Sequence, residues 1–577
     1  MLALSRVRLT PTSGPTAAML RRMLVEAAVF GALAVASTWP LALRLADTVP
    51  FGGDRAPTVA FFCLWELGWN LDRLPHLFAG YWDAPIFHPA PYTFALSEPM
   101  PLQGIAAAPV TFAGGSLVTA YNVVLLACLV ATGLAGSRLL QRLGRPWPVA
   151  LAGGAMLVML PPVHANLDVL PLATLAGVLA TLAAVERFGG EPGLRRGLAL
   201  GVALGVTYVL CGQYGVLVTV VLLLAGWTLC DRQVWSRRAA AGLAAGGLAF
   251  AVLVAPLAAG QIAARQAHAL SRPAVQVEKL SAGAERYVRV AWPQLVPLPG
   301  VHVPDNGHRA YFVGTLKLLL VLAAIRWSRD RRWTRFCLTF AGVAMVVSFG
   351  PRAHLGPVSL YALLSAVVPG FAQVRNLHRA GFFVDLALVL LAADGLCVLG
   401  ERLRGMRWSA VWYRPALLAA LACASVIEIW PRDQGFAAPP RTEDHRGWLD
   451  IVARIAPAGP AVYIPFPASL DFADHVAVTE QMLLARAHGR PLLNGYSGFF
   501  PARYYDLWRR CVAFPEASCL DGLETAGARV VLVSRRHLER GRVLAGPGGG
   551  RLRWLGGDDR AGVDVYELVR RAGREAP

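Results

Sequence analysis

The chain places acids, histidines and arginines in stretches that fall between its apolar runs. The longest is Val49 to Pro101, which holds Asp54, Glu66, Asp72, Asp83, His88, Tyr92 and Glu98 among Trp, Tyr and Pro residues. Shorter stretches add His164, Asn166 and Asp168, then Gln213 and Tyr214, then Asp305, Asn306, His308 and Arg309. The segment before the last long apolar run adds Gln373, Arg375, Asn376, His378 and Arg379. Carboxylates facing a cationic group suit group transfer from a phosphate-linked donor. A carboxylate takes the proton of the attacking hydroxyl, and Arg or His holds the phosphate that leaves. No Cys or His spacing for zinc, no Walker-type loop and no Ser-His-Asp order is present.

These residues need a scaffold, and composition names its class. Of 577 residues, 55% are hydrophobic and only 16% charged, with a mean hydropathy of +0.48. That is far more apolar than a soluble chain of this length and predicts a polytopic α-helical membrane protein. The net charge of +19 is carried almost wholly by Arg in short clusters between apolar runs. This pattern fits the positive-inside rule and contact with anionic membrane lipid, and it excludes a nucleic-acid footprint because no separate basic domain is present.

Apolar runs near the ~20 residues needed to span a bilayer predict about eleven transmembrane helices. They are 23–45, 117–140, 148–160, 170–185, 197–210, 215–229, 239–262, 311–325, 336–349, 381–399 and 411–429. The third is expected to break at Pro161-Pro162, and the runs 102–113 and 355–371 are expected to lie at or dip into the outer face. Arg6, Arg8, Arg21 and Arg22 hold the N-terminus in the cytoplasm, which puts the loops 49–101 and 263–308 and the tail outside.

Residues 1–430 thus form the membrane domain. Residues 431–577 change character. AVYIPFP, ARVVLVS and GVDVYELV read as strands, with DHVAVTEQMLLARAHG and ARYYDLWRR as helices, a small extracytoplasmic α/β domain. Of nine cysteines, Cys511 and Cys519 both fall in this domain, where an oxidising compartment would permit a disulfide. Lys317 and Asp385 lie inside spans at similar depth, and pairing would relieve the cost of burying either.

Each candidate also has a structural reading. Asp54 in Gly-Gly-Asp before Pro57 has the chemistry of a turn or helix cap. Glu98 before Pro99 is placed to begin the short apolar helix, and His88 between Phe87 and Pro89 to pack within its loop. Arg375 and Arg379 sit where interfacial anchors snorkel. Trp65, Trp69, Tyr81 and Trp82 serve equally as an interfacial belt or a sugar platform. The stretch AHGRPLLNGYSGFFP is either a binding loop or a strand-turn that ties the tail to the bundle.

The first span, the loop opening with GGD, the stretch WDAPIFHPAPYTFALSEP, the segment FAQVRNLHRAGFF and the tail's AHGRPLLNGYSGFFP together resemble the GT-C class of integral-membrane glycosyltransferases. The branch is similar to the bacterial protein O-mannosyltransferases and the YfhO-type proteins. The resemblance implies a polyprenyl-phosphate sugar donor, an extracytoplasmic glycan, lipid or protein acceptor, and inverting transfer at the outer leaflet of a bacterial inner membrane. It implies Asp54 as catalytic base, with Glu98 assisting and Asp83, His88, Tyr92, Arg375, His378 and Arg379 binding substrate. The mannosyltransferases often carry paired acids in this loop, whereas Arg55 follows Asp54 here. A divalent cation, Mg or Mn, is the one cofactor the resemblance allows. A protein that keeps the bundle without the chemistry, a transporter or assembly partner for lipid-linked saccharides, is the alternative from another class. It would need polar residues continuing toward the cytoplasmic side, and the spans are poor in them.

Overall fold

The computed structural model describes residues 17–53, 55–230, 236–303, 309–405, 413–456 and 459–570. Its first part is a helical bundle whose helices begin and end where local chemistry dictates. Helix α1 (Ala17–Ser37) leads to strand β1 (Val49–Gly52), α2 (Thr58–Arg73) and α3 (Pro101–Phe112). Then come α4 (Leu117–Arg142), α5 (Trp147–Val158), the short α6 (Pro161–Ala165), α7 (Leu175–Gly190), α8 (Leu194–Leu210) and α9 (Gly212–Ala225). Next are α10 (Arg237–His268), α11 (Ala274–Lys279), α12 (Thr315–Trp327) and α13 (Arg331–Ser348). A hairpin of β2 (His354–Leu355) and β3 (Val358–Ser359) precedes α14 (Leu360–Val367), α15 (Gly381–Gly405) and α16 (Tyr413–Ile427).

Ser116, Ser236 and Asp330 cap α4, α10 and α13 by accepting the N–H of Thr119, Ala239 and Trp333. The helix breaks at Pro161-Pro162 as its sequence suggests: α5 ends at Val158, and α6 begins at Pro161 after an extended Leu160. Both prolines fall in the first turn of α6, where a missing N–H costs nothing.

Five helices among the described residues are long and apolar enough to cross a membrane by length and composition: Leu117–Arg142, Trp147–Ala165, Gly212–Leu229, Arg237–His268 and Leu377–Arg404. The other segments read from sequence as spans are helical but shorter or more polar. Helix α15 is the axis of the bundle. From Phe382 to Ala393 its side chains are almost all buried, and Gly395 lets the backbone at Leu320 of α12 approach so closely that a Cβ would lie 2.0 Å from that carbonyl oxygen.

Helices α8 and α10 pack through glycine. A Cβ at Gly197 or Gly201 would fall 1.9 Å from the carbonyl oxygen of Gly242 or Gly246. Small residues at four-residue spacing let two apolar helices gain dispersion contact where no hydrophobic drive separates protein from lipid.

Lys317 does not pair with Asp385. Its Nζ lies 3.3 Å from Glu428 Oε2, and Glu428 also accepts the N–H of Leu316, capping α12. Capping and charge pairing on one carboxylate outweigh a contact with Asp385, whose two oxygens are buried without a hydrogen-bond partner among the described residues.

The tail holds β4 (Gly435–Ala437), α17 (Arg446–Arg454), β5 (Ala461–Ile464), α18 (Val476–His488), α19 (Ala502–Cys511), α20 (Ala517–Thr525), β6 (Val530–Ser534), α21 (Arg540–Ala545), β7 (Leu552–Asp558) and β8 (Val563–Leu568). Its four-stranded sheet has the order β5-β6-β8-β7. The pair β5-β6 is parallel, and the other pairs are antiparallel. Cys511 and Cys519 are joined by a disulfide.

Hydrophobic packing does not follow the sequence boundary near Trp430. Phe62, Trp65, Tyr81, Phe87 and Phe94 from the first loop share one core with Trp448, Val462, Ile464, Leu532 and Val565 of the tail. Strand β1 pairs with β4, and the Phe87 and His88 N–H groups donate to the carbonyls of Asn494 and Leu492. Trp65 and Tyr81 are therefore core residues, neither an interfacial belt nor a platform.

Candidate functional site

Glu98 sits between the first loop and the start of α9. The segment carrying it is fixed from below by Asn70, fully buried on α2, whose Nδ2 donates to the carbonyls of Glu66 and Pro99 at 2.8 and 2.7 Å. Tyr81 donates its hydroxyl to Asn70 Oδ1 at 2.7 Å. Gly104 on α3 is required here, since a Cβ would lie 2.4 Å from that of Asn70. Gln103 donates to the carbonyl of Leu210, tying α3 to the end of α8.

So held, Glu98 Oε1 accepts the N–H of Gln213 at 3.1 Å, and the Gly212 N–H and Cys211 thiol stand beside the same carboxylate. This is the N-terminus of a 14-residue helix, where unpaired N–H groups and the helix dipole favour an anion. Burial pushes the Glu98 carboxyl above its usual range, against the opposing pull of Arg379 and the α9 amides. Glu66, 2% exposed on α2, is raised too, first by burial and then by the charge of Glu98. A narrow cleft of about 10 Å³ lies beside Glu98, lined also by Tyr208, Leu257 and Gln261. Tyr208 donates to Gln261 Oε1 at 2.8 Å across it, joining α8 to α10.

Arg379 faces this carboxylate, and two further arginines follow beyond it. Arg379 Nη1 donates to Gln213 Oε1 at 2.7 Å, while its buried Nε has no hydrogen-bond partner among the described residues. Arg375 lies within electrostatic reach of Arg379, of Tyr496 in the tail and of Arg272. Arg272 donates to the carbonyl of Gly498 at 2.7 Å. Its guanidinium lies 3.3 Å from the centre of the Phe499 ring, and its Nε is also without a partner. Burial lowers the pKa of Arg375 and Arg272, and a neighbouring arginine lowers each further. Among the described residues none of the three arginines is ion-paired with a carboxylate within 4.0 Å. Desolvated like charges with unspent donors form a place for an anion, and a phosphate meets it with the fork geometry guanidinium prefers.

The sequence reading grouped further residues here, and the structure gives them other work. Asp54 lies outside the described residues. Its neighbours do not: the Gly53 N–H donates to the carbonyl of Ala165, and Arg55 pairs with Asp471 at 3.3 Å. Asp83 accepts the N–H of Tyr92 at 2.8 Å, closing a turn in the part of the loop that packs on the tail. His88 is bound to the tail through its backbone, and burial lowers its pKa. Among the described residues no hydrogen bond or ion pair joins Asp83, His88 or Tyr92 to Glu98 or Arg379. His378 is 5% exposed, with its Nδ1 2.6 Å from the Tyr311 hydroxyl, so it is spent inside the bundle instead of facing a ligand.

The first part of AHGRPLLNGYSGFFP links elements of the tail, while its Gly498 and Phe499 meet Arg272. Asn494 locks onto both backbone groups of Tyr463, and Arg490 onto the carbonyls of Gly459, Val452 and Ile455. Among the described residues no three His, Cys, Asp or Glu side chains gather as a metal-ion nest. Glu98 Oε1 is engaged by α9, and among the described residues its buried Oε2 has no hydrogen-bond partner.

Three contributors escaped the sequence reading: Glu66, taken only as one loop acid among several, Asn70 and Arg272. Arg272 follows α10 directly before Pro273, one of several cations in that stretch, with no local signal that sets it apart.

No protein-family profile and no curated protein sequence matches the chain. Solved structures do. The arabinofuranosyltransferase AftD from Mycobacteria superposes with a TM-score of 0.58 at 14% identity, over 96% of this chain and 40% of that one. The chain thus spans about two fifths of the length of AftD. ArnT from Cupriavidus metallidurans superposes with a TM-score of 0.49 at 14% identity in the apo state, over 96% of this chain and 98% of that one. Bound to undecaprenyl phosphate it gives 0.47 at 13% identity, over 98% and 100%. The structural neighbours are GT-C glycosyltransferases.

Proposed function

We propose that this protein is a membrane glycosyltransferase that moves a sugar from a polyprenyl-phosphate donor to an acceptor hydroxyl at the outer leaflet of a bacterial inner membrane. The observation that carries this reading is the Glu98–Gln213–Arg379 group at the head of α9, with Arg375 and Arg272 beside it. It supplies a desolvated cationic site next to a carboxylate, on a fold shared with AftD.

In this reading the acceptor oxygen attacks the anomeric carbon from the face opposite the phosphate. The bond from that carbon to the phosphate oxygen breaks, and its electron pair leaves with the polyprenyl phosphate. The acceptor proton passes to Asp54, the base that the family resemblance implies. Arg379, Arg375 and Arg272 take the charge that grows on the phosphate, an interaction stronger in the transition state than before it. Glu98 is a positioning residue: with the α9 amides it fixes Gln213, and Gln213 holds Arg379. About eleven spans, a cytoplasmic N-terminus and a periplasmic tail belong to the same reading.

The test is transfer from a labelled polyprenyl-phosphate sugar in reconstituted membranes, comparing wild type with Asp54→Asn and Arg379→Gln. Loss of a general base lowers the rate by about 10²–10⁴-fold, and loss of one charge-stabilising donor by about 10²–10³-fold. Full activity in Asp54→Asn would remove that residue from the chemistry. Full activity in both variants would refute the reading.

A further inference from the structure

The tail presents a second group of side chains beside the basic site. Helix α19 is strongly two-faced: Tyr504, Leu507 and Cys511 are buried, whereas Arg503, Asp506 and Arg509 are exposed. Along the border between those faces Tyr505 and Trp508 stack, with ring centres 6.2 Å apart and planes 24° from parallel. Phe500 extends the row, its ring centre 6.0 Å from that of Tyr505. All three remain partly open to solvent. Trp508 is anchored by its Nε1, which donates to the carbonyl of Pro467 at 2.7 Å. Beneath it, buried His475 packs against Phe500 and Trp508 at 5.4 and 6.4 Å.

Both signs of charge border these rings. Arg503, Asp506 and Arg509 come from α19, and Asp471 and Asp474 from the turn that carries His475. We infer that Phe500, Tyr505 and Trp508 form a platform that binds a neutral oligosaccharide, the acceptor of the proposed transfer. Aromatic faces take the apolar C–H face of a sugar ring, and the surrounding carboxylates and guanidiniums take its hydroxyls, which both donate and accept. An anionic ligand would call for one sign of charge around the rings. A stable protein partner would call for about 800 Å² of contiguous contact on this side.

The platform is continuous with the basic site. Arg272 lies over Phe499 and within electrostatic reach of both Tyr505 and Arg375. Arg55, the residue after the proposed base, pairs with Asp471 on the turn bordering the platform. A sugar chain lying on the rings therefore has a short path to the phosphate site. The assignment of this ligand as acceptor rests on the glycosyltransferase reading, whereas its binding does not.

The experiment uses the full chain in detergent on a printed array of neutral oligosaccharides of two to six hexose or pentose units, with transfer from the labelled donor measured separately. Wild type and Tyr505→Phe are expected to bind a subset of the array. Tyr505→Ala is expected to bind that subset about tenfold more weakly or worse and to raise the acceptor KM more than it lowers kcat. The exposed double variant Arg503→Ala/Asp506→Ala lies outside the core and is expected to weaken the same subset, which covers the case in which Tyr505→Ala fails to fold. Binding as tight as wild type in both altered proteins, or no binding by wild type, would overturn the platform. Wild type that binds glycan but transfers no sugar would refute the glycosyltransferase reading alone.

Discussion

The glycine contact between α8 and α10 makes a quantitative demand on the sequence. Replacing Gly201 by Ala would put a Cβ 1.9 Å from the Gly246 carbonyl oxygen and 2.5 Å from its carbon. Ordinary contact begins near 3.4 Å, so the helices must part by about 1.5 Å (3.4 less 1.9), and the obstacle is backbone that cannot rotate away. Overpacking of this kind costs about 1–3 kcal/mol, and a 2 kcal/mol loss is roughly thirtyfold in an equilibrium constant. The same separation would pull Tyr208 from Gln261 and distort the cleft beside Glu98. Gly247→Ala is the control, because it lies on α10 with nothing within 4 Å of a built Cβ. It should leave stability unchanged or raise it by about 0.4–1 kcal/mol. The assay is the half-life of the folded protein in detergent at a fixed elevated temperature, alongside transfer activity. Gly201→Ala should shorten the half-life at least severalfold and Gly247→Ala should not. Equal half-lives for Gly201→Ala and wild type would refute the close backbone approach on which this packing rests.

Two further outcomes follow from buried charge. Lys317→Met leaves Glu428 buried without its partner and should destabilise the protein by about 3–5 kcal/mol. Asp385→Asn removes an acid with no hydrogen-bond partner among the described residues and should be neutral or stabilising; comparable losses in thermal unfolding would revive the Lys317–Asp385 pairing. Glu66 and Glu98 have pKa values raised above 4.5 in the folded protein. A raised folded value favours the protonated fold, so their contribution is fully present below the ordinary carboxylate range and is lost as pH rises through the folded values. Wild type should therefore lose stability as pH rises above the ordinary carboxylate range relative to Glu66→Gln/Glu98→Gln, by thermal unfolding at each pH; parallel profiles would show that burial does not shift these groups.

Much of the bundle was legible because hydropathy is local. A run of apolar residues, a capping Ser or Asp and a following Arg cluster are read without knowing any neighbour, and helices formed at every run proposed. The strands AVYI, VVLVS and VDVYEL were legible for the same reason, as short β-branched runs between turns. Glu98, Arg375 and Arg379 were found as charges in segments between apolar runs, which is again a local property.

Tertiary structure alone decided which charges meet. Glu428 lies 111 residues from Lys317 and won it from Asp385 because one carboxylate both caps α12 and pairs with the lysine. His378 looked available in sequence until Tyr311 took its Nδ1. The first loop and the tail, far apart in the chain, share one hydrophobic core. That core brings Tyr496, Phe499 and Tyr505 to Arg272 and Arg375. Composition and periodicity determine which segments leave water. The partners that buried polar groups find there depend on long-range contacts that no local pattern encodes.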